Sequence, residues 1–245
     1  MLKDFISRFV NDGEIVLDFF SGSATTAHAV YEVNANTNIK NVKYILVQIA
    51  ENLDESLKSA QKDAVRALEV GIEYLKKVHK AHTICEIGKE RVRRAGAKIK
   101  EENPLGTQGL DVGFRVLKCD TTNMKDVYYN PDAYEASFFE SLTDNIKEDR
   151  TPEDLLFQVM LDLGVLLSSS IEETEIAGKK VFNVADGFLI ACFDANVTEE
   201  TITAIAKQRP YYFVMRDSSM ASDSVAVNFE QIFATYSPDT VRKVL

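Results

Sequence analysis

An aspartate, a glycine and two threonines lie close together near the start of the chain, as Asp18, Gly22, Thr25 and Thr26. A glycine at a chain reversal lets a ligand approach the main chain, because it has no Cβ. Free N–H groups at the start of a helix favour an anionic group. A carboxylate at the end of the preceding strand could accept from an ammonium or a hydroxyl. Together these groups suit an amino acid moiety, with donors for its carboxylate and an acceptor for its amine.

The sequence around these residues predicts a strand, a tight turn and a helix that position them. Asp12-Gly13 predicts a turn. The apolar run from Glu14 to Asp18 predicts a short strand buried on both faces. Helical periodicity then runs from Ala24 to Val33. The turn therefore stands at the carboxyl end of a strand and at the amino end of a helix.

The spacing alone leaves the ligand open. A P-loop does not fit, because no lysine follows the glycine turn as G-x-x-x-x-G-K-[ST] requires. A dinucleotide fingerprint needs three glycines, and Gly22-Ser23-Ala24 supplies one. An ordinary strand, turn and helix without any ligand remains an equal alternative at this point.

The segment VLDFFSGSATTAHAV, residues 16–30, resembles the S-adenosylmethionine motif of amino-methylating DNA methyltransferases, usually written D-x-F-x-G-S-G-T-T. In particular it is similar to the modification subunit of type III restriction systems, whose version ends T-T-A-H-A-V. Residues 43–48, 87–96 and 113–118 resemble the same family in the same order. The family's second glycine is Ala24 here, and its methyl group is expected to crowd the methionine end of the cofactor.

The resemblance implies S-adenosylmethionine as the cofactor and assigns seven residues to it: Asp18, Phe20, Gly22, Ser23, Thr25, Thr26 and Glu51. The aspartate, the phenylalanine and the glycine would cradle the methionine part, and the two threonines would cap its carboxylate. Glu51 follows the second predicted strand, Tyr44 to Ile49, and would hold the ribose hydroxyls. Gln48 is the alternative for that role, and a surface or helix-capping role for Glu51 is equally open.

The catalytic loop of this family is missing from the sequence. Methyl transfer to an exocyclic amine requires a base that is flipped out of the stack, and the family holds that base with a [D/N/S]-P-P-[Y/F/W] loop. The segment Asn130-Pro131-Asp132-Ala133-Tyr134 lacks the second proline, and its aromatic residue stands one place too far along. No residue is therefore assigned a catalytic role. Because the loop precedes the cofactor motif in type III subunits, we expect a C-terminal part of such an enzyme that is inactive alone.

Charge divides the chain into two halves. Residues 1–119 hold 18 basic and 16 acidic residues, whereas residues 120–245 hold 10 and 22. The acidic half should be repelled by phosphate backbones, so the chain alone is a poor candidate for tight DNA binding.

The predicted fold class is α/β: a doubly wound, Rossmann-like methyltransferase half-domain followed by a small α/β C-terminal domain. We expect the first over residues 1–120, with a helical insertion at about 54–82, and the second, an interaction domain, over 121–245.

Several further elements follow from periodicity and capping signals. In the first half, they are a helix over residues 1–10, a long helix from Leu57 to Val78, a basic outer helix from Glu86 to Lys100 and a third strand from Gly113 to Cys119. In the second half, they are helices over 151–164, 198–207 and 228–236 and strands over 180–184, 187–193 and 211–215.

The resemblance implies duplex DNA as a partner of the full-length enzyme, together with a second modification subunit and the restriction nuclease subunit. An assembly module for dimerisation or nuclease contact is the alternative function, and a methyltransferase acting on another small substrate is a third. The sequence shows no signal peptide and no apolar run of the ~18 residues that a membrane span needs. Three separated cysteines predict a reduced, cytoplasmic protein without disulfide or zinc framework. His79 and His82, among lysines, predict a solvated helix end and no metal site.

Overall fold

The computed structural model describes residues 1–125 and 145–245. It divides the chain into two compact units, Met1–Leu117 and Lys118–Leu245. The segment Asn130–Tyr134, considered above as a catalytic loop, lies outside the described residues. No helix in the described ranges is long and apolar enough to cross a membrane.

The first unit is built on a parallel β–α–β arrangement. Strands β1 and β2 pair in parallel, with Ile15 opposite Lys43 and Asp18 opposite Leu46. Helix α2 connects them, so the predicted strand, turn and helix are confirmed. The elements of this unit are α1 (Leu2–Phe9), β1 (Ile15–Asp18), α2 (Thr25–Asn36), β2 (Lys43–Leu46), α3 (Leu53–Lys58), α4 (Lys62–Lys77) and α5 (Ile84–Glu102).

Helices α2 and α5 pack against each other beside the turn that connects β1 to α2. Ala27 and Tyr31 of α2 meet Val92 and Ala95 of α5 in one buried cluster. The ring of Tyr31 is fully buried in this contact. Val92 and Ala95 therefore face inward, as predicted for an outer helix over this region.

Only one face of the β1–β2 sheet is covered by the described residues of this unit. Val16 and Tyr44 pack against a buried cluster that includes Val30 of α2. Ile15, Leu17 and Ile45 point to the other side and are 57%, 60% and 50% exposed. The prediction of a strand buried on both faces is therefore wrong for this chain. We call the side chains of Ile15, Leu17, Lys43 and Ile45 the open face.

Residues 113–119 do not form the predicted third strand. Leu110, Val112 and Phe114 instead pack against the cluster between α2 and α5. The carbonyl of Val112 accepts a hydrogen bond from the hydroxyl of Tyr31 at 2.9 Å. The residues around the start of the predicted strand are thus held by α2 and α5 through side-chain contacts. The described sheet of this unit has two strands.

The predicted helix from Leu57 to Val78 is two helices, since α3 ends at Lys58 and α4 begins at Lys62. The Ser59 hydroxyl donates to the carbonyl of Ser56 at 3.4 Å, and such local bonds compete with helix continuation. Gln61 is extended, with φ −72° and ψ 154°, and starts the second helix. The prediction that this region is helical is confirmed, and the prediction of one continuous helix is wrong.

The second unit is a five-stranded mixed sheet in the order β3-β4-β5-β6-β7. The first three strands are antiparallel, and β6 and β7 run parallel to β5. Its elements are α6 (Pro152–Asp162), β3 (Ile171–Ile176), β4 (Lys179–Val184), β5 (Leu189–Cys192), α7 (Glu199–Ala206), β6 (Tyr212–Met215), α8 (Asp223–Tyr236) and β7 (Val241–Val244). The three helices and the strands β4, β5 and β6 are those predicted, although α8 begins five residues earlier. The α/β class is confirmed in both units.

Two buried clusters pack in this sheet unit. One joins Leu156 and Met160 of α6 to Val214 of β6. The other joins Phe213 of β6 to Phe233 of α8 and to residues of α7. Because successive strand residues point to opposite faces, Phe213 and Val214 show that both faces of β6 are covered. This unit has the two-sided burial that the β1–β2 sheet lacks.

Candidate ligand-binding turn

The carboxylate of Asp18 accepts hydrogen bonds from the glycine turn and from the start of α2. Its Oδ2 accepts from the hydroxyl of Thr26 at 2.5 Å, and its Oδ1 accepts from the backbone N–H of Phe20 at 3.3 Å. Thr26 is buried, so its hydroxyl needs this partner. The structure thus brings Asp18 and Thr26 together, with the proton of Thr26 directed at the aspartate and not at an outside carboxylate. Thr26 supports the turn in this arrangement.

Gly22 is a partly exposed residue of the turn in a left-handed conformation. Its φ is +51°, and a Cβ built on it would meet nothing within 4 Å. Its backbone N–H donates to Oε1 of Gln48 at 2.7 Å. Gln48, the alternative residue for the ribose, therefore fixes the turn to the segment after β2. The space beside Gly22 is open to an incoming group.

Ala24 stands at the end of the turn in a left-handed conformation, with φ +62° and ψ 38°. Glycine is the residue that adopts these angles without steric cost, which gives a reason for the family's glycine at this place. The side chain is 4% exposed and belongs to the cluster with Ala27 and Val92. The methyl group therefore packs inward. This geometry does not support the expectation that it crowds the open side of the turn.

A cation that the sequence reasoning did not assign to the site lies at the start of α2. Nη1 of Arg91 donates to the hydroxyl of Thr25 at 3.2 Å. No side chain caps the first N–H groups of α2, and its first turn holds no acidic residue. A guanidinium beside the positive end of a helix dipole attracts an anion, and the guanidinium can bind a carboxylate in a bidentate manner. The site thus combines two sources of positive potential, the uncapped start of α2 and the guanidinium of Arg91, which a carboxylate group would satisfy.

The other cations of α5 are mostly paired within the helix. Lys89 pairs with Glu86, Arg93 and Arg94 with Glu90, and Lys98 with Glu102. In residues 1–125 and 145–245, Arg91 has no carboxylate within ion-pair distance. This helix therefore presents few unpaired charges to a phosphate backbone.

Of the remaining predicted site residues, Phe20 and Ser23 belong to the turn itself, and Glu51 lies in the segment after β2. Phe20 is 78% exposed, and its ring meets that of Phe19 edge to face at 5.7 Å. Ser23 is half-buried in the turn itself. Glu51 has an exposed side chain, and its carbonyl accepts from the N–H of Ile84 at 3.1 Å. The start of α5 is thereby attached to the segment after β2.

Cys85 lies at the same junction, with its Sγ 3.7 Å from the carbonyl oxygens of Gln48 and Ile49. Burial raises the pKa of the Cys85 thiol, which therefore stays protonated at neutral pH. A protonated thiol is a weak nucleophile. It contributes packing and a weak donor to this corner.

Two of the three histidines have carboxylate partners. Nδ1 of His82 lies 2.7 Å from Oδ2 of Asp54, and Nε2 of His28 lies 3.7 Å from Oε1 of Glu32. The described parts of the chain contain no group of three or more His, Cys, Asp or Glu side chains that could hold a metal ion.

Comparison with known proteins agrees with the motif. Residues 1–86 match the N6_N4_Mtase family, described as DNA methylase. The chain is 32% identical over 217 residues to the Mod subunit of the type III restriction-modification enzyme EcoP15I from Escherichia coli, covering 85% of this chain and 27% of that protein. It is 33% identical over 115 residues to the StyLTI Mod subunit from Salmonella typhimurium, covering 47% of this chain and 15% of that protein. The chain thus spans about a quarter of the length of the first relative. By its motif, its methylase match and these relatives, the chain belongs to the family of type III restriction-modification Mod subunits.

Proposed function

We propose that the chain is the cofactor-binding part of a DNA adenine methyltransferase, whose complete form transfers a methyl group from S-adenosylmethionine to the exocyclic amine of adenine. The observation that carries the proposal is the open turn at Gly22, which lies between a strand-end carboxylate and an uncapped helix start. The turn coincides with the family's cofactor motif. A Rossmann-like, doubly wound sheet of which β1-α2-β2 is one part is the fold that this function implies.

The roles of the site residues follow from their positions. The methionine carboxylate would lie at the start of α2, against Thr25 and Arg91. The main chain of Gly22 and Ser23 would line the methionine part, with Phe20 beside it. Asp18 would keep the turn in shape through Thr26 and offer its exposed side to the amine. Glu51 would bind the ribose hydroxyls.

The relatives are named as Mod subunits of restriction-modification enzymes. We extend this to the chain and propose duplex DNA, a second modification subunit and the restriction nuclease subunit as partners of the assembled enzyme in the cytoplasm. The acidic second half has the wrong charge for DNA, so DNA contact would come from other parts of the assembly. An acidic surface suits contacts with proteins better than contacts with DNA. The second unit therefore keeps the assembly module as the alternative function.

The chain on its own is expected to bind S-adenosylmethionine weakly and to methylate nothing. The sequence contains no [D/N/S]-P-P-[Y/F/W] loop to hold a base, and one face of the sheet beneath the turn is uncovered. Saturation-transfer NMR with millimolar cofactor should detect binding with a Kd above roughly 0.1 mM. This Kd corresponds to a binding free energy weaker than about −5.5 kcal/mol. Isotope transfer from labelled cofactor to duplex DNA should stay at background. A calorimetric titration giving micromolar affinity contradicts weak binding, and methylated DNA contradicts inactivity.

Arg91→Gln is expected to weaken binding of S-adenosylmethionine about tenfold, or about 1.4 kcal/mol, because it removes a charge-assisted bond to the carboxylate. Binding of 5′-methylthioadenosine, which lacks that carboxylate, should not change. The same NMR titration with both ligands measures the difference. Lys98→Gln is the matched control, since Lys98 is an exposed cation on the same helix, paired with Glu102 at 3.6 Å. If Arg91→Gln weakens binding of both ligands equally, Arg91 does not bind the carboxylate.

A further inference from the structure

The side chain of Gln48 joins two segments of the candidate site through both ends of its amide. Its Oε1 accepts from the backbone N–H of Gly22 at 2.7 Å, and its Nε2 donates to the carbonyl of Ile49 at 3.1 Å. An amide has one acceptor oxygen and one donor nitrogen, and each of them here has a partner of the matching kind. The amide of Gln48 is therefore engaged with the main chain of the protein, which favours Glu51 over Gln48 for the ribose.

Gly22 needs such a partner, because a glycine adopts positive and negative φ about equally readily. Its φ is +51°, and a Cβ at this position would meet nothing within 4 Å among the described residues. One residue earlier, the N–H of Ser21 donates to the carbonyl of Val47 at 3.2 Å, which brings the segment after β2 alongside the turn. The side chain of Gln48 extends this attachment to Gly22 itself.

The same side chain leads from the turn to Glu51, the residue proposed for the ribose. The carbonyl of Ile49 that accepts from Gln48 also accepts from the backbone N–H of Glu51 at 2.8 Å. Three consecutive hydrogen bonds thus connect Gly22 to Glu51 through Gln48 and Ile49. We call these three bonds the Gln48 bridge. The bridge sets the position of the turn relative to Glu51.

We infer that Gln48 is a positioning residue for cofactor binding, which holds Gly22 at its φ and at a fixed place relative to Glu51. The ligand part of this inference rests on the proposed function, in which S-adenosylmethionine spans both places. The part that concerns Gly22 rests on the bridge and needs no ligand. A ligand that reaches both places should lose affinity when the bridge is removed, because it must then order the turn itself. A ligand held only at Glu51 should lose little.

The experiment compares two substitutions of Gln48 with a control. Gln48→Met keeps an unbranched side chain of similar length and removes both amide groups. Gln48→Glu keeps an acceptor for the N–H of Gly22. The control is Gln108→Met, at an exposed glutamine of the same unit. Circular dichroism spectra of all three variants should match that of the unsubstituted chain, since the backbone pairing of β1 and β2 remains.

Hydrogen exchange of the Gly22 amide in the free chain measures the bridge directly. In Gln48→Met this exchange should be about tenfold faster than in the unsubstituted chain, because the N–H has lost its acceptor. In Gln48→Glu and in the control it should stay within about threefold. A packing role would give the opposite order, since methionine matches glutamine in shape and glutamate places a charge at a half-buried position. Any order other than the expected one overturns the inference.

Saturation-transfer NMR with S-adenosylmethionine and with 5′-methylthioadenosine measures the ligand part. Gln48→Met should weaken binding of the first about tenfold and of the second by less than about threefold, and Gln48→Glu should restore the first to within about threefold. Equal weakening for both ligands means that Gln48 does not position the turn relative to Glu51. If neither ligand binds to the unsubstituted chain, the proposed function fails together with the ligand part. Faster exchange of Gly22 in Gln48→Met then still supports the positioning of the turn.

Discussion

Gly22→Ala should eliminate the saturation-transfer signal of S-adenosylmethionine while lowering the free energy of unfolding by only about 1–2 kcal/mol. The stability cost comes from the φ of +51°, which an alanine adopts with strain. The binding loss comes from the new methyl group, which would occupy the open space that the cofactor is proposed to enter. The two effects are separable because that space holds no protein atom within 4 Å.

Gly13→Ala is the matched control for this substitution. Gly13 has a φ of +76° and is also surrounded by open space, but it lies in the turn before β1. The strain should be similar, and cofactor binding should persist. Urea unfolding and ligand-detected NMR on both variants give the comparison. If Gly22→Ala retains the signal, the cofactor does not approach the main chain at this turn.

Phe233→Ala should destabilise the second unit by about 3–5 kcal/mol, the range for removing a buried aromatic side chain. The Phe233 ring is fully buried. It stacks on Phe213 at 5.2 Å, and the guanidinium of Arg242 lies 5.9 Å above it. The substitution leaves a cavity between α8 and the sheet, and that cavity cannot be filled by one small movement.

Hydrogen exchange of the β6 backbone amides under native conditions measures this loss, because β6 is an inner strand that pairs with β5 and β7. Val227→Ala on the same helix is the control, since Val227 is exposed and should change little. A loss below about 1 kcal/mol for Phe233→Ala, within the ordinary range of point substitutions, would mean that the α8 cluster does not stabilise the sheet.

Local signals predicted the elements around the turn well. The run ending at Asp18 and the periodicity after Ala24 gave β1 and the start of α2 to within one residue, although α2 continues three residues beyond the predicted end, to Asn36. The cap at Thr151 forms as a complete capping box with Asp154. In each of these cases the determining interactions lie within a few residues, where a pattern can record them.

The features that local patterns missed depend on distant residues or weak patterns. Arg91 reaches Thr25 across 66 positions of sequence, and periodicity identified it only as part of a basic helix. Strand β3 contains three glutamates and no fully buried residue, so its sequence resembles an exposed loop. Whether a strand face is covered depends on other elements, which is why the run at β1 predicted two-sided burial that the described residues do not supply.

Ala24 has a consequence for how the turn would meet a ligand. A glycine at this position would let the free turn sample many backbone conformations, all but one of which would be lost on binding. Alanine adopts the left-handed conformation only at a steric cost, and its buried methyl group, packed in the cluster with α5, holds it there. A group held by the main chain here would therefore find donors that are already preorganised, and its binding would carry a smaller loss of conformational entropy.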